Sequence, residues 1–256
     1  MTELLIKGEL FLKNPEIILV DKDGTLIDIH HYWVSMIRLR AKSIIARYFA
    51  GEKEQHDFEM DLIDTMGADF HNSRMKPSGP IGVKPRDYIV KLVTKRVKNM
   101  GVSVSTAEIE AIFRQVDEET ARDLAPLLKL LPGVNTFLKC SAKYDVPIAV
   151  VTTDISSRAK QAMKTLEIGS YFVDIIGGDM VKNAKPAPEL AEIILKNGDY
   201  SRAKAVVIGD HPVDIEMGLN AGINNNIGVL TGLSDREKFK AFDCSIIKDF
   251  TEIEIR

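Results

Sequence analysis

Short apolar runs rich in β-branched residues recur at Ile17–Val20, 146–151, 171–176, 205–208, 226–230 and 244–247. Runs of this length, bounded by turn residues, predict buried strands. In the second half of the chain helix-length segments separate them, at 157–166, 188–196, 214–221 and 234–241. Strands alternating with helices predict βαβ units and a parallel sheet. The stretch from 28 to 131 breaks that alternation. It carries helical patterns at 33–49, 85–98 and Thr106–Arg122 and no convincing strand. Within 85–98, Ile89, Val90, Leu92, Val93 and Val97 fall on one helical face. Asn99-Met100-Gly101 ends that helix, and Ser105 or Thr106 caps the next. The segment 66–83, with its glycines and prolines, is the least regular part, and Pro126 with Leu131-Pro132-Gly133 marks the return to the sheet. The pattern is an α/β sheet interrupted, just after its first strand, by a helical insert.

The first run drives straight into Asp21-Lys22-Asp23-Gly24. Ligands of open α/β sheets sit beyond the carboxyl ends of the strands, so Asp21 and Asp23 would lie where chemistry happens. Gly24 would let the backbone approach a ligand closely. Two neighbouring carboxylates repel, so the pair calls for a cation, a shared proton, or both. Three later strand candidates also end in polar groups: Thr152-Thr153-Asp154, then Gly177-Gly178-Asp179 with Lys182 and Lys185, then Gly209-Asp210-His211-Pro212-Val213-Asp214.

Composition narrows the function classes. A formal net charge of −3 gives no basic surface for nucleic acid. No apolar stretch approaches the roughly 20 residues of a membrane span. With 45% hydrophobic and 28% charged residues the chain is expected to be globular. Cys140 and Cys244 have no metal-like spacing and read as reduced thiols. Residues 1–13 place Glu3 and Glu9 among apolar residues and lack a signal-peptide layout, so a cytoplasmic protein is expected.

The order of these pieces resembles the haloacid dehalogenase superfamily, in particular its phosphoglycolate-phosphatase-like branch. The residues that carry it are Asp21-Lys22-Asp23-Gly24-Thr25-Leu26, Thr152, Lys185-Pro186-Ala187-Pro188, and Gly209-Asp210 with Asp214. The resemblance implies an α/β fold. Its Rossmann-like parallel-sheet core would comprise 1–27 and 131–256, with an α-helical, C1-type cap domain at 28–130. It also implies Mg2+-dependent hydrolysis of a small phosphomonoester through an aspartyl-phosphate. Asp21 would be the nucleophile, and Asp23 would protonate the leaving group and later deprotonate the attacking water. Gly24, Thr152, Thr153 and Lys185 would bind phosphate, and Asp21, Asp23, Asp210 and Asp214 would hold the metal. Such a set answers what phosphoryl transfer demands, since a carboxylate attacks a dianionic ester only when cations neutralise the site. An acid at position 23 separates the chain from dehalogenases, which lack one there, and from ion-pumping ATPases, which carry threonine.

Some residues depart from the family pattern or stand outside it. Thr153 and Asp154 follow Thr152 where asparagine is usual, and His211 follows Asp210 where a small hydroxyl residue is common. His211 is read as structural and Lys182 as a surface lysine, while Asp214 has a second role open to it at a helix N-terminus. In the insert, His30, His31, Tyr32 and Trp33 have two readings, contact with the leaving group or core packing with solvated histidines. Arg74, Lys76 and Ser78 are candidates for reading a second charged group. The expected partner is a small phosphorylated metabolite, with phosphoglycolate and sugar phosphates as candidates, and the chain would be a monomer or homodimer. Two rival readings stand beside the phosphatase: a sugar phosphomutase of the same fold, and a catalytically inactive phosphate-binding or regulatory protein.

Overall fold

Ile17, Ile18, Leu19 and Val20 are fully buried and form the central strand of a six-stranded sheet. Its order is Ser245–Ile247, Asn225–Val229, Ala205–Gly209, Ile17–Val20, Ile148–Val151 and Phe172–Ile176. Every neighbouring pair is parallel. Such a strand is wrapped on both faces, which explains why its sequence is apolar without alternation. Burying each Ile, Leu or Val side chain contributes about 1.5–3 kcal/mol. From the central strand the chain first builds Ile148–Val151 and Phe172–Ile176 on one side, then crosses to Ala205–Gly209 on the other. The strand order therefore reverses at Ile17–Val20, and the crevice at that reversal lies beyond its carboxyl end.

These findings come from a computed structural model that describes residues 1–76, 79–81 and 84–256. It divides into two compact units, Met1–Ile29 with Leu128–Arg256, and His30–Leu127. In the first, helices Glu189–Asn197 and Pro212–Asn220 supply Leu190, Ile194 and Met217 to a buried cluster with Leu19, Val151 and Val207. A helix at Val134–Lys143 precedes the second parallel strand, Ile148–Val151. The helix expected at 234–241 shrinks to Arg236–Phe239. Asp235 caps it by accepting from the Lys238 N–H at 3.2 Å, and beyond Phe239 the chain closes in three-residue turns, Lys240 N–H to Glu237 O and Phe242 N–H to Phe239 O. Full burial of the Phe239 ring fixes that ending.

Ile17–Val20 is the first strand of the parallel sheet but the third of the chain. Glu3–Ile6 and Glu9–Lys13 form a hairpin that pairs with Ile253–Ile255 in a separate antiparallel sheet. Lys7 and Gly8, both at positive φ, make the two-residue turn. At the neck of the insert, the Asp28 N–H donates to Lys129 O at 2.8 Å and the Leu131 N–H to Leu26 O at 3.0 Å. Ile27 and Leu130 form an antiparallel bridge between them.

The second unit carries helices Ile29–Tyr48, Gln55–Met66, Arg86–Asn99 and Thr106–Arg122. Ser105 caps the last of these through a capping box, accepting from the Glu108 N–H while Glu108 accepts from the Ser105 N–H. The sequence pattern predicts no strand in this unit, and the structure corrects that. Ala68–Asp69 and Arg74–Met75 pair as a two-stranded antiparallel ribbon. Gly67 at φ +97° turns the chain out of the preceding helix, and Asp69 closes the ribbon's loop through both the N–H and the side-chain amide of Asn72. Runs of two residues are too short for a period-two pattern to register. No described helix is long and apolar enough to cross a membrane.

Candidate active site

Asp21 follows the central strand, Asp210 follows Ala205–Gly209, and Asp214 sits in the first turn of Pro212–Asn220. Parallel pairing brings these strand ends level, and one carboxylate oxygen from each of the three residues lies within 4.8 Å of the others. All three residues are buried. Into this cluster comes Lys185, whose side chain is 1% exposed, donating to Asp21 Oδ1 at 2.7 Å and Asp214 Oδ1 at 2.6 Å. The Lys185–Pro186 peptide bond is cis.

Asp214 does two jobs at once. Its Oδ1 holds Lys185, and its Oδ2 accepts from the His211 N–H at 3.0 Å, which caps the helix. His211 is structural in the same sense, its Nδ1 accepting from the Val213 N–H at 3.3 Å. Burial holds its imidazole below the usual range.

Close backbone packing shapes the cleft around Asp210. Gly24 is at φ +88°, and a Cβ there would lie 2.5 Å from Asp210 Oδ2. A Cβ on Gly232 would lie 1.7 Å from the same oxygen. Thr231 donates from Oγ1 to the Gly24 carbonyl at 2.6 Å, tying the two glycine turns together, and Thr25 Oγ1 lies 3.4 Å from Asp210 Oδ1. Thr231 and Gly232 escaped the sequence reading, and Thr25 stood in the quoted motif without a role of its own. A hydroxyl residue followed by glycine at the end of the 226–230 run was the available signal.

Thr152 is buried at the end of Ile148–Val151; its N–H donates to Ile176 O and its Oγ1 accepts from the Asp154 N–H at 3.1 Å. Thr153 is exposed. Asp23 is not hydrogen-bonded into the three-carboxylate cluster but ion-pairs through Oδ2 with Lys22 Nζ at 2.5 Å. Lys22, only 6% exposed at its side chain, also reaches Asp154 Oδ2 at 3.3 Å. Lys182 is exposed, with its N–H bonded to Glu189.

The electrostatics follow from burial. It raises Asp21 above the usual carboxylate range, and the neighbouring Asp214 adds to the rise against the pull of Lys185. Asp210 is raised well above that range by burial and then by Asp21 and Asp214. Burial also raises Asp23, against the opposing pull of Lys22. For Lys185 burial acts downward, but Asp21 and Asp214 more than offset it and hold the ammonium raised and charged. One lysine bonded to two of the three buried carboxylates leaves negative charge uncompensated. A hard divalent cation with oxygen ligands answers that charge, so the donor set fits Mg2+.

In the helical unit the sequence-predicted residues find partners of their own. His30 is buried rather than solvated: its Nδ1 accepts from the Met75 N–H at 3.1 Å, and its Nε2 lies 2.9 Å from Arg74. It thereby fastens the first helix of the unit to the ribbon. His31 Nε2 lies 3.0 Å from Pro126 O. Trp33 and Tyr32, ring edge to ring face, pack on Met36, Val116 and Leu127. Lys76 pairs with Asp64. Ser78 lies outside the described residues.

An acidic cleft entered by the buried Lys185 thus lies at the switch point of a parallel sheet, where α/β proteins take their ligands. The chain belongs to the haloacid dehalogenase-like hydrolase family, whose model matches residues 18–227. It is 32% identical over 127 residues to a phosphorylated carbohydrates phosphatase of Thermotoga maritima, covering 50% of this chain but 59% of that protein. It is 25% identical over 238 residues to a Dickeya dadantii protein named probable phosphatase IndB, covering 93% of this chain and 91% of that one. Among solved structures, a Thermotoga maritima protein bearing a beta-phosphoglucomutase name superposes with a TM-score of 0.68 at 23% identity, over 93% of this chain and 96% of that one. At that identity the likeness speaks for the fold.

Proposed function

We propose that the chain is a Mg2+-dependent phosphatase that hydrolyses a small phosphomonoester through an aspartyl-phosphate on Asp21. The observation that carries the reading is the buried Asp21 carboxylate held by Lys185 beside Asp210 and Asp214 at the switch point. The Asp21 and Asp210 carboxylates and the Asp23 carbonyl would hold Mg2+, with Asp214 beside them, and the bound ion would neutralise phosphoryl oxygens facing the nucleophile.

The remaining roles belong to the chain's own groups. Lys185 keeps Asp21 oriented and supplies positive charge where the phosphoryl group would sit. The Thr152 hydroxyl, buried at the neighbouring strand end, has a proton to donate to a phosphoryl oxygen, and the Gly24 and Thr153 backbone completes the phosphate cradle. Asp23 needs to be neutral when Asp21 is ionised: burial raises both carboxyls, and Lys185 with the bound cation would keep Asp21 charged. It would give its proton to the departing alkoxide and take one from the hydrolytic water. Phosphatase names among the relatives support the same reading. The substrate class is a phosphorylated metabolite with an alcohol leaving group, a phosphorylated carbohydrate being the first to try.

Asp21→Asn tests the mechanism. It should abolish magnesium-dependent hydrolysis of p-nitrophenyl phosphate while the circular dichroism spectrum and melting transition persist. Wild-type activity in that variant would refute the assignment.

A further inference from the structure

Lys22 and Asp154 are unassigned by the mechanism above, yet they are built into the cleft. A buried lysine needs a reason, because taking its ammonium out of water is costly unless partners replace the solvent. Here the partners are Asp23 Oδ2 at 2.5 Å and Asp154 Oδ2 at 3.3 Å. The Lys22 backbone is pinned as well, its carbonyl accepting from the N–H groups of Leu26 and Ile27 at 3.0 and 2.9 Å.

Asp154 is fixed more firmly still. Its N–H donates to Thr152 Oγ1 and its carbonyl accepts from the Gly178 N–H at 2.8 Å. Its Oδ1 accepts from the Ile155 N–H at 2.8 Å and lies 3.3 Å from Arg158. That leaves Oδ2 turned to Lys22. The resulting row, Arg158 to Asp154 to Lys22 to Asp23, links the turn after one strand to the proton-handling carboxyl after its neighbour.

We propose that Lys22, anchored by Asp154, is a positioning residue that selects which oxygen of Asp23 handles the proton. An ammonium has three donors and no acceptor, so the oxygen it holds serves as an acceptor. With Lys22 on Oδ2, the proton resides on Oδ1. In the first step Asp21 attacks phosphorus, the ester P–O bond breaks, and the leaving alkoxide takes the proton from Asp23 Oδ1. In the second, water attacks the aspartyl-phosphate, its proton passes to that same oxygen, and the bond from phosphorus to Asp21 breaks to release inorganic phosphate. Lys22 and Asp154 touch neither substrate nor metal in this scheme. The inference rests on the phosphatase reading.

The test compares two leaving groups. An ethoxide must be protonated as it departs, whereas p-nitrophenolate leaves unaided, so kcat/KM for ethyl phosphate senses the position of the acid and kcat/KM for p-nitrophenyl phosphate does not. General acid catalysis is worth about 10²–10⁴ in rate. Lys22→Met should therefore lower kcat/KM for ethyl phosphate at least about tenfold more than for p-nitrophenyl phosphate. Asp154→Asn should shift the ratio in the same direction, and Lys22→Arg, which keeps the charge and donors, should restore it. Should Lys22→Met fail to fold, the near-isosteric Asp154→Asn decides alone. Equal losses on both esters, or a ratio unmoved in Asp154→Asn, would overturn the positioning role while leaving the phosphatase reading intact. A wild-type chain inactive on both esters with magnesium would overturn the phosphatase reading itself, and this inference with it.

Discussion

Removing Lys185 should expose the charge balance of the cleft. The ammonium is almost fully enclosed and bonds two carboxylates, so Lys185→Met leaves Asp21 and Asp214 facing each other beside Asp210 without their common partner. Breaking a buried ion pair from one side costs about 3–5 kcal/mol. At about 2–4 °C per kcal/mol for a chain of this size, the melting temperature in EDTA should fall by about 6–20 °C. Burial already raises Asp21 in the native chain, and losing the ammonium raises it further. A carboxyl raised in the folded state destabilises it when ionised, so the deficit should be largest at neutral and higher pH. It should shrink as pH falls and the carboxylates take up protons. Magnesium should restore more stability to the variant than to the wild type, since the ion substitutes for the lost charge. Scanning calorimetry across pH 4 to 8, with EDTA and with magnesium, reads all three effects. A variant in EDTA that melts within 2 °C of wild type at pH 7 would refute the reasoning. Lys185→Met/Asp21→Asn, which removes one of the two charges left facing each other and keeps the Asp214 cap, should recover part of the loss.

Gly24→Ala should weaken magnesium binding at least tenfold by isothermal titration. Its Cβ would lie 2.5 Å from Asp210 Oδ2, and its φ of +88° adds about 1–2 kcal/mol of backbone strain; an unchanged affinity would show that Asp210 does not hold the ion. Asp179 accepts from both the N–H and the hydroxyl of Ser156 at the start of the helix Ser156–Thr165, and these bonds lower its carboxyl below the usual value. A lowered carboxyl stabilises the fold at pH above its unfolded value and loses that contribution as pH falls through the folded one. The Asp179→Asn melting deficit should accordingly be present at pH 7 and close at acid pH. A deficit constant with pH would count against the ionised cap.

The parallel sheet was legible because its strands are apolar on both faces, and the carboxylates because each follows such a run. Residues Asp21, Lys185, Asp210 and Asp214 converge as strand-end reasoning expects, although Lys185 and Asp21 are 164 positions apart. What escaped notice has physical reasons. The strands Glu3–Ile6 and Glu9–Lys13 are part-exposed with a register shift between Leu4 and Leu5, which blurs the period of two. Helix Gln55–Met66 carries seven polar residues against a narrow buried face of Leu62, Ile63 and Met66, too thin a stripe to stand out. Asp154 stood as a departure from a family pattern, and its partnership with Lys22 depends on how two strand ends align in space. The place of His30 was open between leaving-group contact and solvent, because nothing in the local pattern points to Met75 as its donor.

The paired backbone at residues 26–28 and 129–131 gives the insert a closed neck. The parallel-sheet unit therefore meets the segment 30–127 as a loop whose two ends are already clasped by its own hydrogen bonds. Closure entropy grows only slowly with loop length, so exchanging that segment for a longer, shorter or unrelated one should cost the sheet little. A short glycine-containing turn from Asp28 to Lys129 should leave the acidic cleft folded. The neck thus makes the insert a replaceable cassette, free to change while the strand ends that carry the carboxylates stay as they are.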